Sequence, residues 1–95
     1  MQIESLKVFC DLAETASFTK AAQINGVTQS AVSQQISALE KRFQAKFIER
    51  SKKKFTLTKE GETLYKSSKQ IVQSYDELRH RIQEIQNVVT GTIKV

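Results

Sequence analysis

Four uncharged polar side chains, Gln29, Ser30, Ser33 and Gln34, recur at a spacing that places them on one face of a helix. Groups of this kind exchange hydrogen bonds without carrying charge, which is the chemistry that reads the edges of nucleic-acid bases. A Gln amide in the first turn, as at Gln29, matches adenine N6 and N7. Ser30 can touch a thymine methyl or a phosphate, and Ser33 and Gln34 point the same way one turn on. Further along, Arg50-Ser51-Lys52-Lys53-Lys54 sets four cations in five residues, a chemistry suited to phosphates. Alone, such a run is more often a solvated loop. Ser17 and Thr28 each precede a helical stretch, where a hydroxyl caps the helix and the free amides behind it can hold a phosphate.

These groups must be positioned by elements that the rest of the pattern supplies. Ile3, Leu6, Phe9, Cys10 and Ala13 recur at helical spacing and predict a first helix from about Ile3 to Glu14. A second helix is expected from Phe18 to about Asn25, with Phe18, Ala21 and Ala22 inside. Asn25-Gly26 signals a turn. A third is expected over Gln29 to Phe43, its inner stripe being Val32, Ile36, Leu39 and Phe43. Ala22, Gly26 and Val32 have the spacing of a helix-turn-helix, with a small residue at the crossing, a Gly free to take positive φ and an apolar residue packing back. Two extended runs, Lys46 to Glu49 and Phe55 to Thr58, flank the cationic tip as a two-stranded wing.

A long helix is expected from Thr58 or Lys59 to Asn87 or Val89. Thr58 can cap it, and Glu60 and Glu62 suit the positive end of its dipole. Leu64, Ser68, Ile71, Tyr75, Leu78, Ile82, Ile85 and Val89 alternate in steps of four and three, a heptad seam with only Ser68 off-type. So long a helix outruns what the preceding residues can cover. Leu64, Ile71, Tyr75, Leu78, Ile82 and Ile85 are therefore expected to meet a second copy of the chain. Residues 90–95 alternate like the start of a strand and are expected to be disordered, as the opening of a further C-terminal domain.

Composition narrows the class. The 95 residues carry 15 Lys and Arg against 10 Asp and Glu, a net charge of +5 that favours a polyanionic partner. One Cys excludes an internal disulfide and a multi-Cys metal site; among Val8, Phe9 and Leu12 it reads as a buried apolar group. The lone His80 lies off the seam with no ligands at metal spacing. No Gly-rich phosphate loop and no Ser/His/acid set supports an enzyme, and no cofactor or metal is expected. No apolar run approaches the ~20 residues of a membrane span, and MQIESLKVF lacks a signal-peptide pattern, so a cytoplasmic protein is expected. RNA recognition would call for exposed aromatic platforms, which the pattern does not offer.

The order helix, helix-turn-helix, basic wing, long helix, GTIKV resembles the LysR-type transcriptional regulators over the whole chain. The resemblance rests on Ser17-Phe18, Ala21-Ala22, Thr28-Gln29, Ala31-Val32-Ser33, Ile48-Glu49-Arg50 and Leu57-Thr58 with Gly61. It implies a mainly α winged helix-turn-helix over residues 1–58, a linker and dimerisation helix over 59–89, and the first strand of a missing effector domain over 90–95. It also implies a homodimer joined by antiparallel long helices, with tetramers open to the complete protein. Two recognition helices would read an inverted repeat in double-stranded DNA through Gln29, Ser30, Ser33 and Gln34. Ser17, Thr28, Arg50, Lys52, Lys53 and Lys54 would touch the backbone, and a small effector would bind only the absent domain. Three positions depart from the family pattern. Asn25 stands where an apolar residue is usual, with Ile24 expected to take over its packing. Gln44 stands where Gly often ends the recognition helix, and Ile48 where Phe is commoner. A winged helix that docks another protein is the competing class, but such modules usually lose the basic wing.

Overall fold

The computed structural model describes residues 2–89, which form four helices: α1 (Ile3–Thr15), α2 (Phe18–Asn25), α3 (Gln29–Phe43) and α4 (Lys59–Val89). The expectation for residues 90–95 lies outside the described residues. Helix α1 touches all three others. It is consequently apolar on more than one face, with Leu6, Val8, Phe9, Cys10 and Leu12 all buried. Burial pushes the Cys10 thiol up to about 11, helped by the negative charges of Glu14 and Asp11, so it stays protonated and inert. Ala21 and Ala22 of α2 and Val32, Ile36 and Leu39 of α3 complete the centre of the core.

Caps set the helix boundaries. The Ser17 hydroxyl accepts from the Lys20 amide at 3.1 Å, and the Thr28 hydroxyl from the Ala31 amide at 3.0 Å. Gly26 takes φ +64° in the turn between α2 and α3. Gln44 takes φ +53° after α3, and the Ala45 amide donates back to the Glu40 carbonyl at 3.1 Å. Helix α3 thus ends in the left-handed closure that Gly usually provides, with a side chain bearing the steric cost.

Asn25 does not hand its place to Ile24, contrary to the sequence expectation. Ile24 is 55% exposed. The Asn25 amide nitrogen instead donates to the Asp11 carboxylate at 2.9 Å and to the Ala21 carbonyl at 2.8 Å. Lys7 reaches both Asn25 and Asp11, at 3.2 and 3.0 Å. A satisfied polar latch between α1 and α2 replaces apolar packing.

Phe43 also departs from its expected inward position, being 47% exposed at the end of α3. Its place in the core goes to Phe47, which meets Phe9 and Phe43 edge-to-face at ring centroid distances of 5.9 and 6.0 Å. The two expected wing strands reduce to one antiparallel bridge, Ile48 with Leu57. The Glu49 amide donates to the Thr56 carbonyl at 2.8 Å and the Thr58 amide to the Phe47 carbonyl at 3.0 Å. The Thr58 hydroxyl donates to the Lys46 carbonyl, ending the pairing there.

Helix α4 starts against the wing root. The Gly61 amide donates to the Thr58 hydroxyl at 3.0 Å. A Cβ at Gly61 would lie 2.1 Å from the Phe47 carbonyl oxygen, so only Gly allows this approach. Gly61, Tyr65, Ser68 and Val72 form the stripe that faces the body, and Val72 is the last α4 residue packed on it. Leu64 is accordingly half-covered by its own core, and Ser68 is fully buried. The small side chains at 61 and 68 admit the rest of the fold to close range. Further along, Tyr65 donates to Glu14 at 2.7 Å and Lys69 reaches the same carboxylate oxygen at 3.1 Å, tying α4 to α1.

Two backbone predictions follow from these closures. Gln44→Gly should stabilise the chain by about 1 kcal/mol by relieving the left-handed conformation. Gly61→Ala should destabilise it by about 1–3 kcal/mol through overpacking. Thermal denaturation checks both: changes of equal sign would refute the closures described. The Tyr65 hydrogen bond, then Lys69, holds the Glu14 carboxyl below the ordinary carboxylate range. Its stabilisation is therefore complete above the ordinary Glu pKa and disappears as pH falls through the depressed value. In an NMR titration, Tyr65→Phe should move Glu14 part of the way back up; an unchanged midpoint would contradict the contact.

Candidate nucleic-acid interface

The exposed face of α3 is built by what its other face must do. Val32, Ile36 and Leu39 point into the core, so Gln29, Ser30, Ser33, Gln34 and Ser37 point to solvent. The four residues predicted to meet bases are thus brought together on one exposed surface that begins at the Thr28 cap. Gln29 is not idle there, since its amide nitrogen donates to the Thr19 hydroxyl of α2. Sequence reasoning gave Thr19 no role. Its position one helix earlier in the turn motif is the signal that could have found it.

Ser33 and Gln34 form one wall of a groove whose other side is the wing root, with Lys41 and Lys46 along it. These two cations bring positive charge beside the uncharged face, with Glu40 and Glu60 lining the same groove. They too were missed, because in the sequence they are scattered rather than clustered. Lys41 and Arg42 also lie in the last turn of α3, at the negative end of its dipole.

The Ser17 and Thr28 hydroxyls both act as caps, accepting from backbone amides. Each retains its own proton for a further acceptor such as phosphate oxygen. Ser17 is half-buried at the start of α2, whereas Thr28 is exposed at the start of α3.

The wing carries a contact that the charge pattern did not reveal. The Glu40 carboxylate is buried at the far end of α3; one oxygen accepts from the Phe47 amide at 2.9 Å. The other lies 3.6 Å from the Arg50 guanidinium, whose side chain remains 57% exposed. A buried carboxylate needs such partners to offset its desolvation. Arg50 is therefore anchored at the wing root with part of its donor fork still facing outward. Lys52, Lys53 and Lys54 are exposed at the tip and, among the described residues, have no acidic partner within ion-pair distance. Phe55 meets Phe18 edge-to-face at a centroid distance of 6.4 Å, which braces the wing against the start of α2. The seam residues Ile71, Tyr75, Leu78, Ile82 and Ile85 lie apart from this surface, exposed along α4. Among the described residues no cluster of His, Cys, Asp and Glu could hold a metal, and no helix is long and apolar enough to cross a membrane.

Residues 3–62 match the family model of the bacterial regulatory helix-turn-helix proteins of the lysR family. The transcriptional regulator CysL of Bacillus subtilis is 38% identical over 95 residues, which cover all of this chain and 32% of that protein. The transcriptional activator CmpR of Synechocystis is 33% identical over 93 residues, 98% of this chain and 31% of that protein. The chain thus spans about a third of the length of these relatives. Among solved structures, the BenM_DBD/catB site 1 DNA complex is similar with a TM-score of 0.85 at 28% identity, covering 90% of this chain and 97% of that one. DarR of Vibrio fischeri in complex with DNA gives 0.85 at 26% identity, covering 93% and 30%. On the family match and the shared architecture, this chain belongs to the LysR family of bacterial helix-turn-helix regulators.

Proposed function

We propose that this chain is the sequence-specific DNA-binding part of a LysR-type transcription regulator, and that it acts in the cytoplasm as a binding module rather than an enzyme. The observation that carries the reading is the juxtaposition of an exposed uncharged face, Gln29 to Gln34, with a cationic wing held at a fixed root. The similar BenM and DarR structures are complexes with DNA. On this reading α3 enters the major groove of duplex DNA, and Gln29, Ser30, Ser33 and Gln34 address base edges. Ser17, Thr28 and Arg50 fix register on the phosphates, with Lys52, Lys53 and Lys54 as an electrostatic fringe.

Residues 1–58 are the reading domain and residues 59–89 the linker. The exposed apolar stripe Ile71, Tyr75, Leu78, Ile82 and Ile85 pairs two copies of the chain, with Leu64 at its inner end. Two copies present two recognition helices, so the site is an inverted repeat whose half-site spacing is set by the α4 pair. A small effector, and any assembly beyond the dimer, belong to the domain that follows residue 95 in a complete regulator.

Selection of bound duplexes from a random pool, followed by titration of the best site, tests the reading. Affinity should fall by orders of magnitude between low and moderate salt. Lys53→Ala should weaken all sequences alike and reduce the salt slope by about one for each lysine removed. Gln34→Arg should instead shift base preference towards guanine. No selectable site, or binding indifferent to salt, would favour the protein-docking class.

A further inference from the structure

Among the described residues Glu40 is the one buried acid. The fold alone does not call for a charge there. The Phe47 amide needs an acceptor, and the oxygen of an uncharged amide would serve it as well. The charge is directed at Arg50, 3.6 Å away, which among the described residues is the one cation within ion-pair distance of it. Burying a carboxylate is costly, and a partner so open to water offsets little of that cost. The pair is a poor source of stability, but it holds one guanidinium in one place.

We propose, resting on the DNA-binding reading above, that Glu40 is a positioning residue for sequence discrimination. It ties Arg50 to the helix that carries the base-reading face, so that the phosphate contact of the wing forms only when that face is in register. Glu40 lies on α3 with Gln29, Ser30, Ser33 and Gln34, six to eleven residues beyond them. That is about 9–17 Å along the helix axis. A free Arg side chain is long enough to follow a phosphate as the duplex slips beneath it. Successive nucleotides of a strand are about 3.4 Å apart along the duplex axis. A guanidinium restrained by α3 cannot absorb such a step, so a slip of one base pair breaks the phosphate and base contacts together.

The chemistry of the pair suits this role. A guanidinium carries five N–H donors in a rigid fork, so it can be held on one side and still bind a phosphate on another. Lys52, Lys53 and Lys54 have no acidic partner within ion-pair distance. They attract any duplex without fixing its register. Glu40 has an opposing effect as well, since a negative charge beside the wing weakens attraction to every phosphate nearby. It thus lowers general affinity and raises discrimination.

Competition titrations at several salt concentrations test the assignment, using one selected duplex and a scrambled duplex of equal length. Glu40→Gln keeps an acceptor for the Phe47 amide, but its other arm is an amide nitrogen that cannot accept from Arg50. It should bind the scrambled duplex about threefold or more tightly, with a salt slope larger by up to about one. The preference for the selected duplex should nevertheless fall about tenfold. Equal tightening on both duplexes, with the preference unchanged, would make Glu40 a general electrostatic brake and overturn the proposal. Weaker binding to both, with a lower thermal midpoint, would make it a structural residue and overturn it equally. Arg50→Lys leaves the buried carboxylate and the charge count in place, so it does not depend on how the core tolerates a change at Glu40. It should lower the preference about threefold or more at an unchanged salt slope, because an ammonium lacks the fork; an unchanged preference overturns the proposal. In an Arg50→Ala background, Glu40→Gln should cause no further loss of preference. A second loss of the same size would show that Glu40 does not act through Arg50. An unsubstituted chain that does not distinguish the two duplexes overturns the DNA-binding reading itself, and this assignment with it.

Discussion

The peptide unit of Phe47 is the point through which the fold is coordinated. Its N–H is taken by the Glu40 carboxylate at the end of α3, and its carbonyl by the Thr58 amide at the start of α4. The same carbonyl lies where a side chain at Gly61 would be, and the ring is held edge-on by Phe9 of α1. Buried peptide groups must be paired, so none of these partners can move without leaving a polar group unsatisfied. Helix α3, the wing and helix α4 are thereby fixed relative to one another through one residue of the wing's first extended run. The proposed reading of DNA would need this, because a base contact and a phosphate contact are useful together only at a constant separation.

Charge is divided between two tasks. Within the body, acidic groups hold basic ones: Asp11 holds Lys7, Glu14 holds Lys69 and Glu40 holds Arg50. At exposed positions such pairs contribute little stability, and their value here is geometric. The last two link α1 to α4 and α3 to the wing, while the first lies within α1 and meets α2 through Asn25. At Lys52 to Lys54, among the described residues, no carboxylate lies within ion-pair distance, so three exposed cations cluster at the wing tip.

Most of the architecture was legible from local rules. Helix starts at Ser17, Thr28 and Thr58, the turn at Gly26 and the core stripe Val32–Ile36–Leu39 all follow from capping chemistry and periodicity, and the structure places them there. What escaped was decided by partners distant in sequence. Phe43 satisfies the helical period of α3, yet Phe47 arrives four residues later from a loop and takes its place. Asn25 looked like a defect until Asp11 and Lys7 were brought beside it by the α1–α2 crossing. Nothing in the sequence around Glu40 announces the buried amide of Phe47 that its carboxylate meets. In α4 the heptad pattern merged two stripes, one facing the body through Gly61, Tyr65, Ser68 and Val72, and one facing outward from Ile71. The wing strands were overread because alternation signals extended chain but not the number of bridges it makes.

If α3 reads DNA as proposed, the hydrogen bond from Gln29 to Thr19 bears on how the duplex is searched. A side chain already satisfied within its own protein gains nothing by reaching towards an arbitrary base, since it would trade one bond for another. It extends only where a base edge offers two well-placed groups in exchange for one. On every other sequence it would, on that reading, stay folded back against α2, leaving the lysines, which ask nothing of the sequence, to hold the duplex. On the proposed reading, a retracted Gln29 would separate travel from arrest: the chain would move over most of the duplex and halt only where the offered pair of bonds is better than the one it holds.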